Sequence, residues 1–117
     1  MVIYTYKNCS SCRKATQWLR AHGIEYTEKA IRETPPSRLD LGAMLEYQAG
    51  SLNKLFNTAG SDYRELKMKE RLPGMRAADA LQMLSERGNL IKRPFLLGDD
   101  FGMVGFKEVD WAAQFGK

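Results

Sequence analysis

The two cysteines of this chain stand three positions apart, at the point where a strand pattern hands over to a helix pattern. Val2-Ile3-Tyr4-Thr5-Tyr6 alternates like a short strand, and Arg13-Lys14-Ala15-Thr16-Gln17-Trp18-Leu19 reads as a helix. Between them lies Lys7-Asn8-Cys9-Ser10-Ser11-Cys12. The first turn of a helix leaves backbone N–H groups unpaired and carries partial positive charge. A thiol placed there ionises more readily, because the thiolate accepts those N–H bonds. With a helix opening near Asn8, Cys9 falls at its tip and Cys12 one turn further in, on the same face. The expected roles are Cys9 as nucleophile, held as a thiolate, and Cys12 as its resolving partner. Arg13 is the cation expected to stabilise the Cys9 thiolate. Polar Asn8, Ser10 and Ser11 imply that a substrate can reach the sulfur.

The remainder of the chain supplies a frame for this junction. The first helix is expected over Ser10 to His22, with Gly23 ending it. Ile24 to Ile31 alternates and reads as a second strand. Strand, helix and strand in about thirty residues make a βαβ unit, whose strands run parallel with a right-handed crossover. Arg32-Glu33-Thr34-Pro35-Pro36 is a connection, since two prolines cannot continue a ladder. Ser37-Arg38-Leu39-Asp40 fits a helix cap, followed by a buried stripe of Leu41, Met44 and Leu45, with Gly50 closing the helix. From Ser51 to Gly74 the periodicity is poor. Leu52, Leu55 and Phe56 suggest a helical turn, Asn57-Thr58-Ala59-Gly60 a turn, and Tyr63 to Lys69 a short helix broken by Leu72-Pro73-Gly74. Ala77, Ala80, Leu81 and Leu84 then keep a clear helical rhythm that Arg87-Gly88 ends. Pro94 to Leu97 and Gly102 to Phe106 read as two strands joined by a hairpin turn, hence antiparallel. Glu108 to Phe115 forms a closing helix. The expected architecture is one α/β domain over residues 1–117: a thioredoxin-like mixed sheet of about four strands with flanking helices and a helical insert over about 37–88.

Size and composition narrow the function classes. A chain of 117 residues with 44% hydrophobic and 27% charged residues suits one compact globular domain. No apolar run of about 18 residues exists, so no membrane span is expected. The N-terminus has the pattern of a strand and not of a secretory leader, which makes the cytoplasm the expected location. A C-x-x-C pair in that reducing compartment points to redox or metal chemistry rather than to a structural staple. The net charge of +4 is uneven, with 16 basic and 10 acidic residues up to Arg93 against 2 and 4 after it. Most of the basic residues read as solvated helix faces. The densest cluster, Lys67-Met68-Lys69-Glu70-Arg71, lacks the aromatic residues of a single-strand nucleic-acid platform, and no direct nucleic-acid binding is expected.

Zinc is the main rival to redox chemistry for the cysteine pair. A closed zinc site needs four Cys or His ligands. The single histidine, His22, sits at the far end of the same helix, so only a dimer sharing two cysteine pairs completes such a site. The expectation is therefore a metal-free monomer. Inert buried thiols are the other alternative. Lys92-Arg93-Pro94 is the second feature of note. An arginine before a proline is pushed toward an extended backbone, and the Arg93–Pro94 bond is a candidate for the cis form. Arg93 offers a planar fork to an oxyanion or a carboxylate. Trp18, Tyr4 and Phe106 read as core or boundary residues, and His22 as a helix-end residue. No glycine-rich phosphate loop is present.

The opening Tyr-x-Asn-Cys-x-x-Cys-Arg-Lys-Ala…Trp-Leu resembles the arsenate reductase (ArsC) family, including its Spx-type regulators. So do Glu33-Thr34-Pro35-Pro36, Leu55-Phe56-Asn57-Thr58, Ile91-Lys92-Arg93-Pro94 and Val104-Gly105-Phe106, so that the resemblance spans the chain. It implies a thioredoxin-like domain with a helical insert. Position by position, it implies that Cys9 is the nucleophile, that Cys12 is the second cysteine of the Spx-like branch, and that Arg13 is a basic residue beside the nucleophile. Arg93, with Pro94, matches one of three arginines that hold an oxyanion; this chain has no arginine at the other two places. The activity implied is a thiol–disulfide exchange that uses no metal or flavin, with glutathione, glutaredoxin or thioredoxin as thiol partner. The alternative is a redox-switched regulator that binds the C-terminal domain of the RNA polymerase α subunit.

Overall fold

The alternation read in the first strand sorts side chains onto two faces of one sheet. In the computed structural model, which describes residues 1–117, β1 (Val2–Thr5) sends Ile3 to one side and Tyr4 to the other. The strand β3 (Phe95–Leu97) pairs with it antiparallel, Ile3 opposite Leu96 and Tyr4 opposite Phe95. Period-two geometry then stacks Ile3 with Leu96 on one face and Tyr4 with Phe95 on the other. β2 (Thr27–Ala30) pairs parallel to β1, and β4 (Gly102–Val104) antiparallel to β3. The order β2-β1-β3-β4 gives a mixed four-stranded sheet of the thioredoxin-like kind.

Each face carries its own helices. α1 (Ser10–Ala21) and the closing helix, α6 (Glu108–Phe115), cover the Ile3–Leu96 face with Ala15, Trp18, Leu19 and Trp111. Trp18 and Trp111 meet edge to face at 6.2 Å, and the indole Nε1 of Trp111 donates to the Gly105 carbonyl at 3.2 Å. The Tyr4–Phe95 face is covered by the segment between β2 and β3: α2 (Arg38–Tyr47), α3 (Ser61–Glu65), α4 (Met68–Arg71) and α5 (Ala77–Glu86). Ser37 caps α2 as its sequence suggests, the Asp40 N–H donating to its Oγ at 3.1 Å. No helix is long and apolar enough to cross a membrane.

Several boundaries differ from the sequence reading. The second strand pairs only over Thr27–Ala30, not from Ile24 to Ile31, and all four of its side chains are exposed. It is an edge strand whose length is set by the four residues of β1, and the chain before it is tied instead to α1, Ile24 N–H bonding the Leu19 carbonyl. α1 stops at Ala21, with His22 as its cap, its ring 4.2 Å from that of Trp18 and tilted by 50°. The helix expected over Tyr63 to Lys69 is two short ones, because Tyr63 and Met68 are both buried and Lys67 takes a left-handed φ of 55° that redirects the chain between them. β3 starts at Phe95 rather than Pro94. β4 ends at Val104 rather than Phe106, because Gly105 turns the chain at φ 73° and bonds back to the Pro94 carbonyl at 2.8 Å. Gly88, read only as a helix stop, is buried against the end of β2. A Cβ there would meet the Ile31 carbonyl oxygen and lie 2.7 Å from its carbon and 2.9 Å from Arg32 Cα.

Candidate active site

Cys9 is the N-cap of α1, with extended φ and ψ of −104° and 114°. Its own N–H bonds the Tyr6 carbonyl at 3.0 Å, which closes the turn between strand and helix. Its sulfur accepts the N–H of Cys12 at 3.3 Å, so the thiol occupies the place that a serine or aspartate oxygen takes in an ordinary cap. The side chain is half-buried and both thiols are free. Asn8, Ser10 and Ser11 are all exposed around it. A thiol is thus set in solvent reach with a backbone amide aimed at its sulfur.

Cys12 is its opposite in environment. Only 2% of its surface is exposed. Burial pushes its thiol up to about 12, helped by the hydrogen bond and charge of the neighbouring Cys9. A backbone bond from Tyr6 and the positive charge of Arg93 act the other way. The α1 helix thus presents one accessible sulfur and one that stays a protonated thiol at neutral pH.

The two arginines near the cysteine pair differ in their contacts. Arg13 is exposed and its Nη1 donates to the Lys7 carbonyl at 3.0 Å, which ties the loop before Cys9 to the helix after it. Arg93 follows Lys92 into the site through a cis bond to the buried Pro94. Its guanidinium carbon lies 4.8 Å from the Tyr6 ring centroid. Its Nη1 is buried and has no hydrogen-bond partner.

Sequence reasoning missed two residues here. Tyr6 and Arg32 join Arg93 in a polar cleft of about 200 Å³. Arg32 lies 5.0 Å from the Tyr6 centroid, and its Nη1 donates to the Tyr6 hydroxyl at 3.0 Å. Asn8 Nδ2 donates to the same hydroxyl at 3.4 Å. The Asn8 bond first, then the Arg32 charge and bond, lower the Tyr6 phenol below its ordinary range. The signal for Arg32 lay in the topology. β1 and β2 run parallel with Thr5 opposite Ala30, so Tyr6 and Arg32 leave the sheet at the same edge, and in such sheets ligands gather at the carboxyl ends of the strands.

Known proteins resemble this chain in sequence and in fold. The model of the ArsC family matches residues 4–114 of the chain. The Bacillus subtilis (strain 168) protein YusI is 44% identical over 108 residues, covering 92% of both chains. The global transcriptional regulator Spx of Enterococcus faecalis (strain ATCC 700802 / V583) is 30% identical, over 92% of this chain and 80% of that one. Among solved structures, the crystal structure of an ArsC family related protein from Bacteroides fragilis superposes with a TM-score of 0.90 at 36% identity, over 96% of this chain and 94% of that one. The cysteine pair opening α1, the Arg-Pro at the head of β3 and a family match reaching from β1 into α6 lead to one conclusion: the chain belongs to the ArsC family.

Proposed function

We propose that the protein is a thiol–disulfide oxidoreductase in which Cys9 attacks and Cys12 resolves. The observation that carries this reading is the contrast between the two sulfurs. Cys9 is accessible and accepts an amide hydrogen bond at a helix N-terminus, whereas Cys12 is buried and held as a thiol. The Cys9 thiolate attacks one sulfur of a substrate disulfide, whose S–S bond breaks as a mixed disulfide forms. The leaving thiolate takes up a proton. Capping Cys9 removes the charge that helps hold Cys12 protonated, while Arg93 and the Tyr6 backbone still favour its thiolate. Cys12 then loses its proton and displaces the second substrate thiol, leaving a Cys9–Cys12 disulfide. The substrate has gained two electrons and the protein has lost them. A thiol reductant of the glutathione, glutaredoxin or thioredoxin type returns the dithiol. Arg93 with Pro94, and the exposed Asn8, Ser10 and Ser11, form the substrate side of the site, and Arg13 braces the loop. No resident cofactor or metal takes part in this scheme.

The test is turnover of hydroxyethyl disulfide with glutathione as reductant. Cys9→Ser is expected to abolish it, and Cys12→Ser to accumulate a mixed disulfide on Cys9. Undiminished turnover by Cys9→Ser would refute the assignment.

A second reading has one observation in its favour, the 30% identity to the regulator Spx across most of both chains. In that reading the cysteine pair is a redox switch on a surface that binds the RNA polymerase α C-terminal domain. A pull-down with that domain under oxidising and reducing conditions separates the two. Redox-dependent capture supports the regulator, and no capture in either state removes it.

A further inference from the structure

The cleft around Tyr6 holds two guanidinium groups and no carboxylate partner for either. Arg32 and Arg93 lie 5.0 and 4.8 Å from one ring centroid, so their charged carbons are less than 10 Å apart. Like charges at that range repel in a partly desolvated cleft. The single ion pair of the fold joins Arg87 to Asp62 at 3.8 Å and leaves both of these arginines out. Arg93 Nη1 is buried without a partner, an arrangement that native proteins keep for a reason. Asn57 and Asn89 add amide groups to the lining. Two charged forks and two amides facing a small polar space suit a carboxylate.

The cleft also has a negative side. Asp62 lines it, and its contact with Arg87 is long for a hydrogen bond, so its oxygens retain capacity for a further donor. A pure oxyanion would be repelled by that carboxylate. An α-amino-acid headgroup matches both signs, its carboxylate on Arg32 and Arg93 and its ammonium on Asp62. The cleft is coupled to the reactive sulfur through the chain itself. Asn8, which precedes Cys9, bonds the hydroxyl that Arg32 also bonds.

We infer that the Arg32–Arg93–Asp62 cleft binds the zwitterionic α-amino-acid headgroup of a small thiol or disulfide whose sulfur reaches Cys9. The inference rests on the oxidoreductase reading above and names its substrate class. Arg32 is the specificity-determining residue it adds. The headgroup can come from a γ-glutamyl peptide or from a cysteine residue with free termini.

The experiment measures mixed-disulfide formation on Cys9 in the Cys12→Ser protein by mass spectrometry, with five probes. Glutathione disulfide and cystine carry the full headgroup, dithiodipropionate the carboxylate alone, cystamine the amine alone, and hydroxyethyl disulfide neither. Each rate is divided by that for hydroxyethyl disulfide, which removes any general effect on Cys9. Adding Arg32→Ala is expected to lower the ratio for a full-headgroup probe about tenfold, the loss of one charge-assisted fork, and to lower that for dithiodipropionate equally where the headgroup is cystine's, since both hold the carboxylate at the same distance from sulfur. Arg32→Lys is expected to restore part of it. Asp62→Asn is expected to lower the ratio for the full-headgroup probe and not that for dithiodipropionate. Of the two full-headgroup probes, a drop shown by glutathione disulfide and not by cystine identifies the γ-glutamyl source, and the reverse identifies the free amino acid. Ratios that Arg32→Ala leaves within twofold would overturn the headgroup site while Cys9 chemistry stands. A protein in which Cys9 reacts with none of the probes would overturn the oxidoreductase reading and the inference together.

Discussion

Replacing Gly88 with alanine places a methyl group against a backbone that has no room for it. The new Cβ would meet the carbonyl oxygen of Ile31 and lie 2.7 Å from its carbon and 2.9 Å from Arg32 Cα. All three atoms are main chain, so no side chain can rotate out of the way. Either the end of β2 or the Gly88–Leu90 turn must shift. Overpacking of this kind costs typically 1–3 kcal/mol, and the absence of a flexible neighbour puts this site at about 3 kcal/mol. Unfolding entropy near 2.1 cal/mol/K per residue gives about 0.25 kcal/mol/K for a chain of this length. The expected fall in Tm is therefore about 12 °C, read by thermal circular dichroism. Gly74→Ala is the control, since nothing lies within 4 Å of its Cβ position; it is expected to change Tm by about 2 °C or less. A Gly88→Ala protein as stable as Gly74→Ala would refute the claim that this glycine is required by the approach of two backbones. The same shift moves Arg32, so the loss should extend to the cleft around Tyr6.

Three further outcomes follow from other parts of the molecule. Trp111 is fully buried between α6 and the sheet and holds the Gly105 carbonyl, so Trp111→Ala is expected to lose about 3–5 kcal/mol in urea unfolding. Ser37→Ala removes the α2 cap on Asp40 N–H and is expected to lose about 1 kcal/mol by the same measurement. The Cys12 thiol gives a pH dependence with a definite sign. Its value is raised in the fold to about 12, against about 8.5 for a free cysteine. Below about pH 8.5 both states are protonated and its contribution is complete. As pH rises toward about 12 the unfolded chain ionises first, and stability is lost. The difference in unfolding free energy between the wild type and Cys12→Ala is expected to shrink over that range, and a difference independent of pH would contradict it.

The sequence carried the parts of this fold that local rules decide. The alternation in Val2–Thr5 sorted Ile3 from Tyr4, the Ser37 cap opened α2, and the rhythm of Ala77 to Leu84 marked α5. The cysteine pair fell at the strand-to-helix junction because both patterns end there. Other features depend on contacts that local rules do not decide. β2 is shorter than its own alternation suggests because its limits come from its partner β1. The break at Lys67 is imposed by two buried anchors, Tyr63 and Met68, that no single helix face accommodates. Arg32 lies in what its neighbours in sequence mark only as a connection, and its meeting with Tyr6 and Arg93 joins three segments separated in the chain. Only strand pairing brings them to one edge.

In the proposed mechanism the two sulfurs three residues apart have divided roles, one reactive and one reserved. Limited alkylation with iodoacetamide at neutral pH, followed by peptide mass spectrometry, reads that division directly. The label is expected on Cys9, with Cys12 left as an unmodified thiol until the protein is unfolded. Label arriving on Cys12 first, or on both at equal rates, would contradict it.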